Sequence, residues 1–173
     1  MIGTQYTITE KISWAENVFS RFGAKILEDE DLSRLLHSYR AAITESWACM
    51  RQSGVSRVCW HCAVHEGGSC CGKGIEDRFD GVLLLVNLLL GGRLPLSRWD
   101  PEGCWFLGEQ GCTIPARHVI CINYLCRRIT DRVPPDSIRM LQGRIGQEAD
   151  RAFFLEEALK QWLVTQDRKT RNG

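Results

Sequence analysis

Eight of the nine cysteines in this chain fall into two groups between Cys59 and Cys126. The first group reads Cys59-Trp60-His61-Cys62 and then, past Gly67-Gly68, Cys70-Cys71-Gly72. The second sets Cys104 and Cys112 on either side of Gly108-Glu109-Gln110-Gly111, with Cys121 and Cys126 beyond. Two cysteines separated by two residues let a tight turn aim both sulfurs at one metal, which is why that spacing recurs in zinc and iron–sulfur sites. Thiolate sulfur is soft and selects those ions over magnesium, calcium or manganese. The expected metal ligands are therefore Cys59, Cys62, Cys70, Cys71, Cys104, Cys112, Cys121 and Cys126, with zinc or an iron–sulfur cluster as the cofactor.

Four and four cysteines allow two four-thiolate centres, or one cluster with the remaining thiolates on a second metal. The adjacent pair Cys70-Cys71 bears on this, because neighbouring side chains diverge and do not readily chelate one ion together. Two nearby centres or one multinuclear centre fit best. Glycines beside the pair, Gly67, Gly68, Gly72 and Gly74, let the backbone fold close around such a centre. With eight thiols present, His61, His65 and His118 are expected to hydrogen-bond to ligands or to solvent rather than replace a thiolate. His37 is expected on the surface. Trp60, Trp105, Phe106 and Tyr124 can supply apolar cover and otherwise pack a small core.

Disulfides are the rival use of so many thiols. No export signal precedes the first helix, the odd count leaves one thiol over, and a reducing cytoplasmic setting is the expectation. A thiol–disulfide oxidoreductase is the non-metal alternative, since Cys59 and Cys62 have the spacing of a redox pair. The strand–helix surroundings of that motif are not evident in the sequence.

The elements that must carry these groups are mainly helical. Leu32, Leu35, Leu36, Tyr39, Ile43 and Trp47 form one stripe on a helix over Asp31–Gln52, stopped at Gly54. Cys49 lies on that helix and is expected to be a small buried apolar residue outside the site. A shorter helix is expected over Ser13–Ile26. Ile75, Phe79, Val82, Leu83, Val86, Leu89 and Leu90 predict a buried helix ended by Gly91-Gly92. Asp77 and Asp80, three apart on it, are expected on a solvated face. Apolar residues around Gly108–Gly111 predict a short β-hairpin, and Cys121 to Cys126 a helical turn. After Pro134-Pro135, Asp136 is the expected N-cap of a long C-terminal helix, bent at Gly143 or Gly146. The expected fold class is mainly α, a small single domain over 1–173 with helices packed around a cysteine-rich metal-binding core containing a short β-hairpin. Its regions are N-terminal helices over 1–54, the cysteine cluster over 59–126 and a C-terminal helix over 135–167.

A net charge of +1 gives no electrostatic footprint for nucleic acid, and the basic ending from Arg168 is expected to be a solvated tail. The most apolar run, Val82–Leu90, is far shorter than the ~20 residues of a membrane span. Neither nucleic acid nor membrane is an expected partner, and any partner would be an unidentified protein. No phosphate loop, H-E-x-x-H or G-x-S-x-G motif is present, so the sequence names no reaction.

The pattern resembles a zinc- or iron-chelating cysteine-cluster family with a C-x-x-C…C-C signature. The matching residues are Cys59, Cys62, Gly68, Cys70 and Cys71, then Cys104, Phe106-Leu107, Gly111-Cys112-Thr113-Ile114, Arg117 and Cys121. The chain departs from the family at His118 and Trp105, where proline is common. The resemblance implies metal chelation, and through longer relatives a part in protein lysine N-methylation. It says nothing about the terminal helices.

Overall fold

The computed structural model describes residues 1–66 and 68–171. Helix α1 spans Ile8–Glu28 and begins earlier than the apolar pattern predicts, because Thr7 and Glu10 form a capping box. The Glu10 carboxylate accepts from the Thr7 N–H at 2.8 Å, and the Thr7 hydroxyl accepts from the Glu10 N–H at 3.3 Å. Asp29 then serves both sides of a helix junction. Its N–H donates to the Lys25 carbonyl to close α1, and its carboxylate accepts from the Asp31 and Leu32 N–H groups to open α2, Glu30–Gln52. Leu32, Leu36, Tyr39 and Ile43 are buried along α2 as the stripe predicts. Gly54, at φ +82°, turns the chain into α3, Val55–His65.

The helix expected from Ile75 to Leu90 is broken in two. A single 3-10 turn covers Ile75–Arg78, Phe79 is extended, and α4 runs over Gly81–Leu89. The break has a local cause: the Asp80 carboxylate accepts the Leu83 N–H at 2.8 Å and caps α4, so Asp80 works as an N-cap rather than on a helix face. A side chain on the next residue would run into Trp14 and Ile2, each under 3.0 Å from where a Cβ would sit at Gly81. Gly91 ends α4 in the left-handed conformation, as its place after the apolar run predicts.

A two-stranded antiparallel hairpin follows, β1 at Leu107–Gly108 and β2 at Gly111–Cys112, with Leu107 opposite Cys112. Two short helices, α5 over Val119–Asn123 and α6 over Arg127–Thr130, lead to α7, Pro135–Arg171. Pro135 is the first residue of α7, where its missing N–H costs nothing, and Asp136 lies inside the first turn instead of capping it. Gly143 and Gly146 fall within this uninterrupted helix. Among the described residues no helix is long and apolar enough to cross a membrane.

Packing divides into two apolar clusters. α1 lies against α4 and α2 against α7. The larger cluster joins α1, α2, α4, the hairpin and the C-terminal part of α7 through residues such as Ile26, Leu84, Phe106 and Leu155. The smaller joins the end of α2, the start of α3, α5, α6 and the first turns of α7 through Cys49, Met50, Val55, Ile122, Ile129 and Leu141. Cys49 is thus a buried packing residue, as expected. Lys11 is fully buried in α1, and its ammonium donates to the Glu76 and Asp77 carbonyls at 3.3 Å, closing the end of the 3-10 turn.

Glu156 of α7 is half-buried beside Asp80 on a second cavity of about 440 Å³. Burial first and Asp80 next push its carboxyl up to about 7, against a pull down from Lys160. A carboxyl that binds its proton more tightly when folded favours the fold below its unfolded value of ~4.3 and loses that benefit as pH rises through the folded value. Glu156→Gln is therefore expected to raise the thermal unfolding midpoint at pH 8, with the gain closing toward pH 4. An equal gain at both values in paired melting curves would contradict this account.

Candidate metal centre

All eight cysteines of the two groups line one cavity of about 160 Å³ between the two apolar clusters. Cys49 does not line it. The elements present the sulfurs in different ways. Cys59 and Cys62 lie one turn apart on α3, so the C-x-x-C spacing is met by a helix face and not by the tight turn expected from the sequence. The Trp60 indole N–H donates to the Glu109 carbonyl at 3.1 Å and ties α3 to the hairpin turn.

The chain then doubles back against Cys62. The Gly68 N–H donates to the Cys62 carbonyl at 2.8 Å, and a Cβ at Gly68 would lie 2.7 Å from the Cys62 sulfur. Only glycine fits that approach. Gly67, expected to help in the same turn, lies outside the described residues. Cys70 and Cys71 follow on a 3-10 turn over Ser69–Cys71.

Backbone bonds stitch the first group to the second. The Cys104 N–H donates to the Cys71 carbonyl at 2.7 Å, the Lys73 N–H to the Glu102 carbonyl at 2.8 Å, and Gly72 bridges Gly103 in antiparallel fashion. Glu76, 1% exposed, locks this seam. Its carboxylate accepts from the Gly74 N–H at 3.0 Å and pairs with Arg98, which also donates to the Gly103 carbonyl. Burial works to raise the Glu76 carboxyl, but the Arg98 bond and charge and backbone N–H groups hold it below the usual range.

The Cys112 thiol lies 3.9 Å from the Ile114 carbonyl, to which it donates. Cys121 lies on α5, whereas Cys126 is the N-cap of α6. The single helical turn expected to hold both is interrupted at Tyr124, which is extended. That break separates the two sulfurs into different surroundings. Cys104, Cys112, Cys121 and Cys71 pack with the larger cluster, and Cys59 and Cys126 with the smaller.

Thiol electrostatics follow this division in part. Burial and then Cys126, Cys70 and Cys62 push the Cys59 thiol up to about 11, with Arg117 opposing. Burial and then Cys112, Cys121, Cys104 and Cys59 push Cys71 up to about 12. Burial raises Cys104 to about 12, where Glu76, Cys112 and Cys121 add to the rise and a backbone bond to Phe106 opposes it. Burial, then Cys112 and to a smaller extent Cys70, push Cys121 up to about 11, with Arg117 opposing. Cys59 is influenced by Cys126, Cys70 and Cys62, and Cys71 and Cys104 mainly by Cys112 and Cys121, with Cys59 acting on Cys71 and Cys70 on Cys121 across the two groups. Cys70 acts on both Cys59 and Cys121, so it lies between the two groups, while adjacent side chains such as Cys70 and Cys71 tend to diverge. Among the described residues no three Cys, His, Asp or Glu side chains are drawn in to the spacing of a bound ion.

The histidines stand apart from the cavity wall. His61 and His65 are exposed and stack on one another, and His61 Nδ1 lies 3.3 Å from the Glu66 carboxylate. His118 caps α5, its Nδ1 accepting the Ile120 N–H at 3.2 Å, and His37 bonds the Ser33 carbonyl on the surface. Trp60, Phe106 and Tyr124 line the cavity; Trp105 does not, and its indole N–H donates to the Pro95 carbonyl at 2.8 Å. Two arginines reach the sulfurs' surroundings without a sequence signal for that role. Arg128 donates to the Cys62 sulfur at 3.3 Å and pairs with Glu66, and Arg117 is buried in the wall.

The chain matches no family model, no curated protein and no solved structure. The family likeness is carried by the quoted motif residues alone.

Because Glu76 binds both sides of the seam, Glu76→Gln is expected to cost about 2 to 3 kcal/mol. This is less than the loss of a fully buried ion pair because Arg98 keeps some solvent contact. Urea denaturation of the full chain checks it, and a change below about 0.5 kcal/mol, the range of ordinary surface substitutions, would deny Glu76 that part.

Proposed function

We propose that this chain is a metal-binding protein that holds zinc, or iron as an iron–sulfur cluster, on two four-cysteine sets. The sets are Cys59, Cys62, Cys70 and Cys126, and Cys71, Cys104, Cys112 and Cys121. The observation that carries the reading is the cavity wall. Among the described residues it presents eight thiols from both sequence groups, one buried arginine, the Ser56 hydroxyl, the Gln110 amide, the Tyr124 phenol and the Trp47 and Trp60 indoles, with no carboxylate or imidazole among them. Soft sulfur donors in that number suit zinc or iron–sulfur chemistry and disfavour hard cations. The buried arginine adds a positive charge where thiolates would gather.

Loading requires the four sulfurs of a set to lie about 3.8 Å from one another, the edge of a tetrahedron with ~2.3 Å zinc–sulfur bonds. It also requires thiols raised to about 11 or 12 to give up their protons, which a bound dication drives. Metal bound this way would cross-link, within each set, segments far apart along the chain: α3, the Cys70 turn and the start of α6 in one, and the Cys71 turn, Cys104, the hairpin and α5 in the other. A resident iron–sulfur cluster would add one-electron redox capacity.

The redox-pair alternative is disfavoured by the same electrostatics. An attacking thiol in a disulfide oxidoreductase is held below its ordinary value, whereas burial holds Cys59 above it. The expectation of a part in lysine methylation rests on the family likeness alone.

Oxygen-free purification followed by elemental analysis and a visible spectrum tests the proposal. Colourless protein is expected with two zinc per chain, or brown protein with iron and acid-labile sulfide. For zinc, Cys126→Ala and Cys104→Ala should each remove one equivalent, and Cys49→Ala none. A reduced, folded chain with neither zinc nor iron would refute it.

A further inference from the structure

Arg117 is a buried cation without a counter-ion. It is 7% exposed, and among the described residues no carboxylate forms an ion pair with it. Its Nη2 donates to the Met50 sulfur at 3.3 Å, its Cζ lies 4.0 Å from the centre of the Trp47 ring, and its buried Nε has no partner. A guanidinium does not shed its proton in a protein, so burial cannot be relieved by neutralisation. Thioether and indole are weak compensation for a desolvated charge.

Glu148, a buried acid that feels the Arg117 charge, is a poor substitute. Glu148 is wholly buried, accepts from the Ser46 hydroxyl through one oxygen and leaves the other without a partner. Burial raises its carboxyl despite that bond and the Arg117 charge, so it keeps its proton more readily than an ordinary glutamate.

What Arg117 does face is the thiol cavity. It lines the wall with all eight cysteines, the members of both sets. Asn87 helps fix the segment that carries it: the Asn87 side chain donates to the Ala116 carbonyl and accepts the Ala116 N–H, both at 2.9 Å. Four thiolates around one divalent ion carry a net charge of about −2.

We infer that Arg117 is the fixed countercharge of the thiolate centre, a positioning residue shared by both sets that stabilises bound metal from the protein side. This rests on the metal-binding reading above. The orphaned Nε is then the donor left for a ligand sulfur.

The test uses the full chain, reduced and oxygen-free, titrated with zinc(II) alone against a chelator of known affinity. Arg117→Met, similar in length and uncharged, is expected to weaken zinc binding by at least about tenfold, the range seen when groups supporting metal ligands are lost. Arg117→Lys should recover at least half of that loss on a logarithmic scale. Glu148→Gln added to Arg117→Met should leave binding as weak as Arg117→Met alone. Equal affinity in Arg117→Met and the unaltered chain would overturn the inference and leave the metal reading standing. Restoration by Glu148→Gln would overturn it in favour of an Arg117–Glu148 pair. If Arg117→Met does not fold, a folded Arg117→Lys that loses tenfold or more overturns it, and one within that limit supports it. An unaltered chain that takes up neither zinc nor iron overturns both readings at once.

Discussion

The arrangement depends on the seam where the Cys104 N–H meets the Cys71 carbonyl. Thiols are small and weakly polar, and nothing in their own chemistry gathers eight of them from distant stretches of chain. Backbone hydrogen bonds do so here, because a buried N–H or C=O left unpaired costs as much as a lost bond. The seam, the Glu76–Arg98 pair and the hairpin together hold Cys71, Cys104 and Cys112 on one side of the cavity. α3 and α6 supply the other side; Trp60 ties α3 to the hairpin turn, and Arg128 ties α6 to α3.

Two opposing tendencies meet in that cavity. Its apolar walls favour protonated thiols, and the close approach of several sulfurs raises each thiol further. Arg117 acts against both, with a charge that cannot be titrated away. A site built this way resists oxidation and alkylation while its thiols stay neutral, since the thiolate is the reactive form. A soft dication reverses the balance, because it stabilises thiolate more strongly than burial destabilises it.

Much of this is legible in the sequence, and the reasons differ element by element. The stripe from Leu32 to Trp47, the glycine stop at Gly91 and the hairpin around Gly108–Gly111 follow from periodicity and turn chemistry, which are local. Cys49 likewise sits where its helical context puts it, on a buried face away from the cavity. The departures are decided by single polar side chains. Asp80 splits an apolar run that reads as one helix, and Thr7 with Glu10 extends α1 beyond its apolar pattern. The C-x-x-C pair suggests a turn by its motif, but the residues from Val55 carry no breaker and continue as helix. The role of Glu76 is not legible at all, and Arg117 stands out only as a motif residue with no part assigned to it. Each is defined by partners far along the chain, and a lone charged residue in a sequence reads as surface.

The adjacency of Cys70 and Cys71 has a mechanical consequence. The two side chains spring from one short turn whose far end is fastened at Cys104, so that turn cannot rotate one sulfur without swinging the other. If ions bind as proposed, a movement of that turn on one side of the cavity is felt on the other. Under the proposed reading, the two sets would then fill as linked compartments rather than as independent ones.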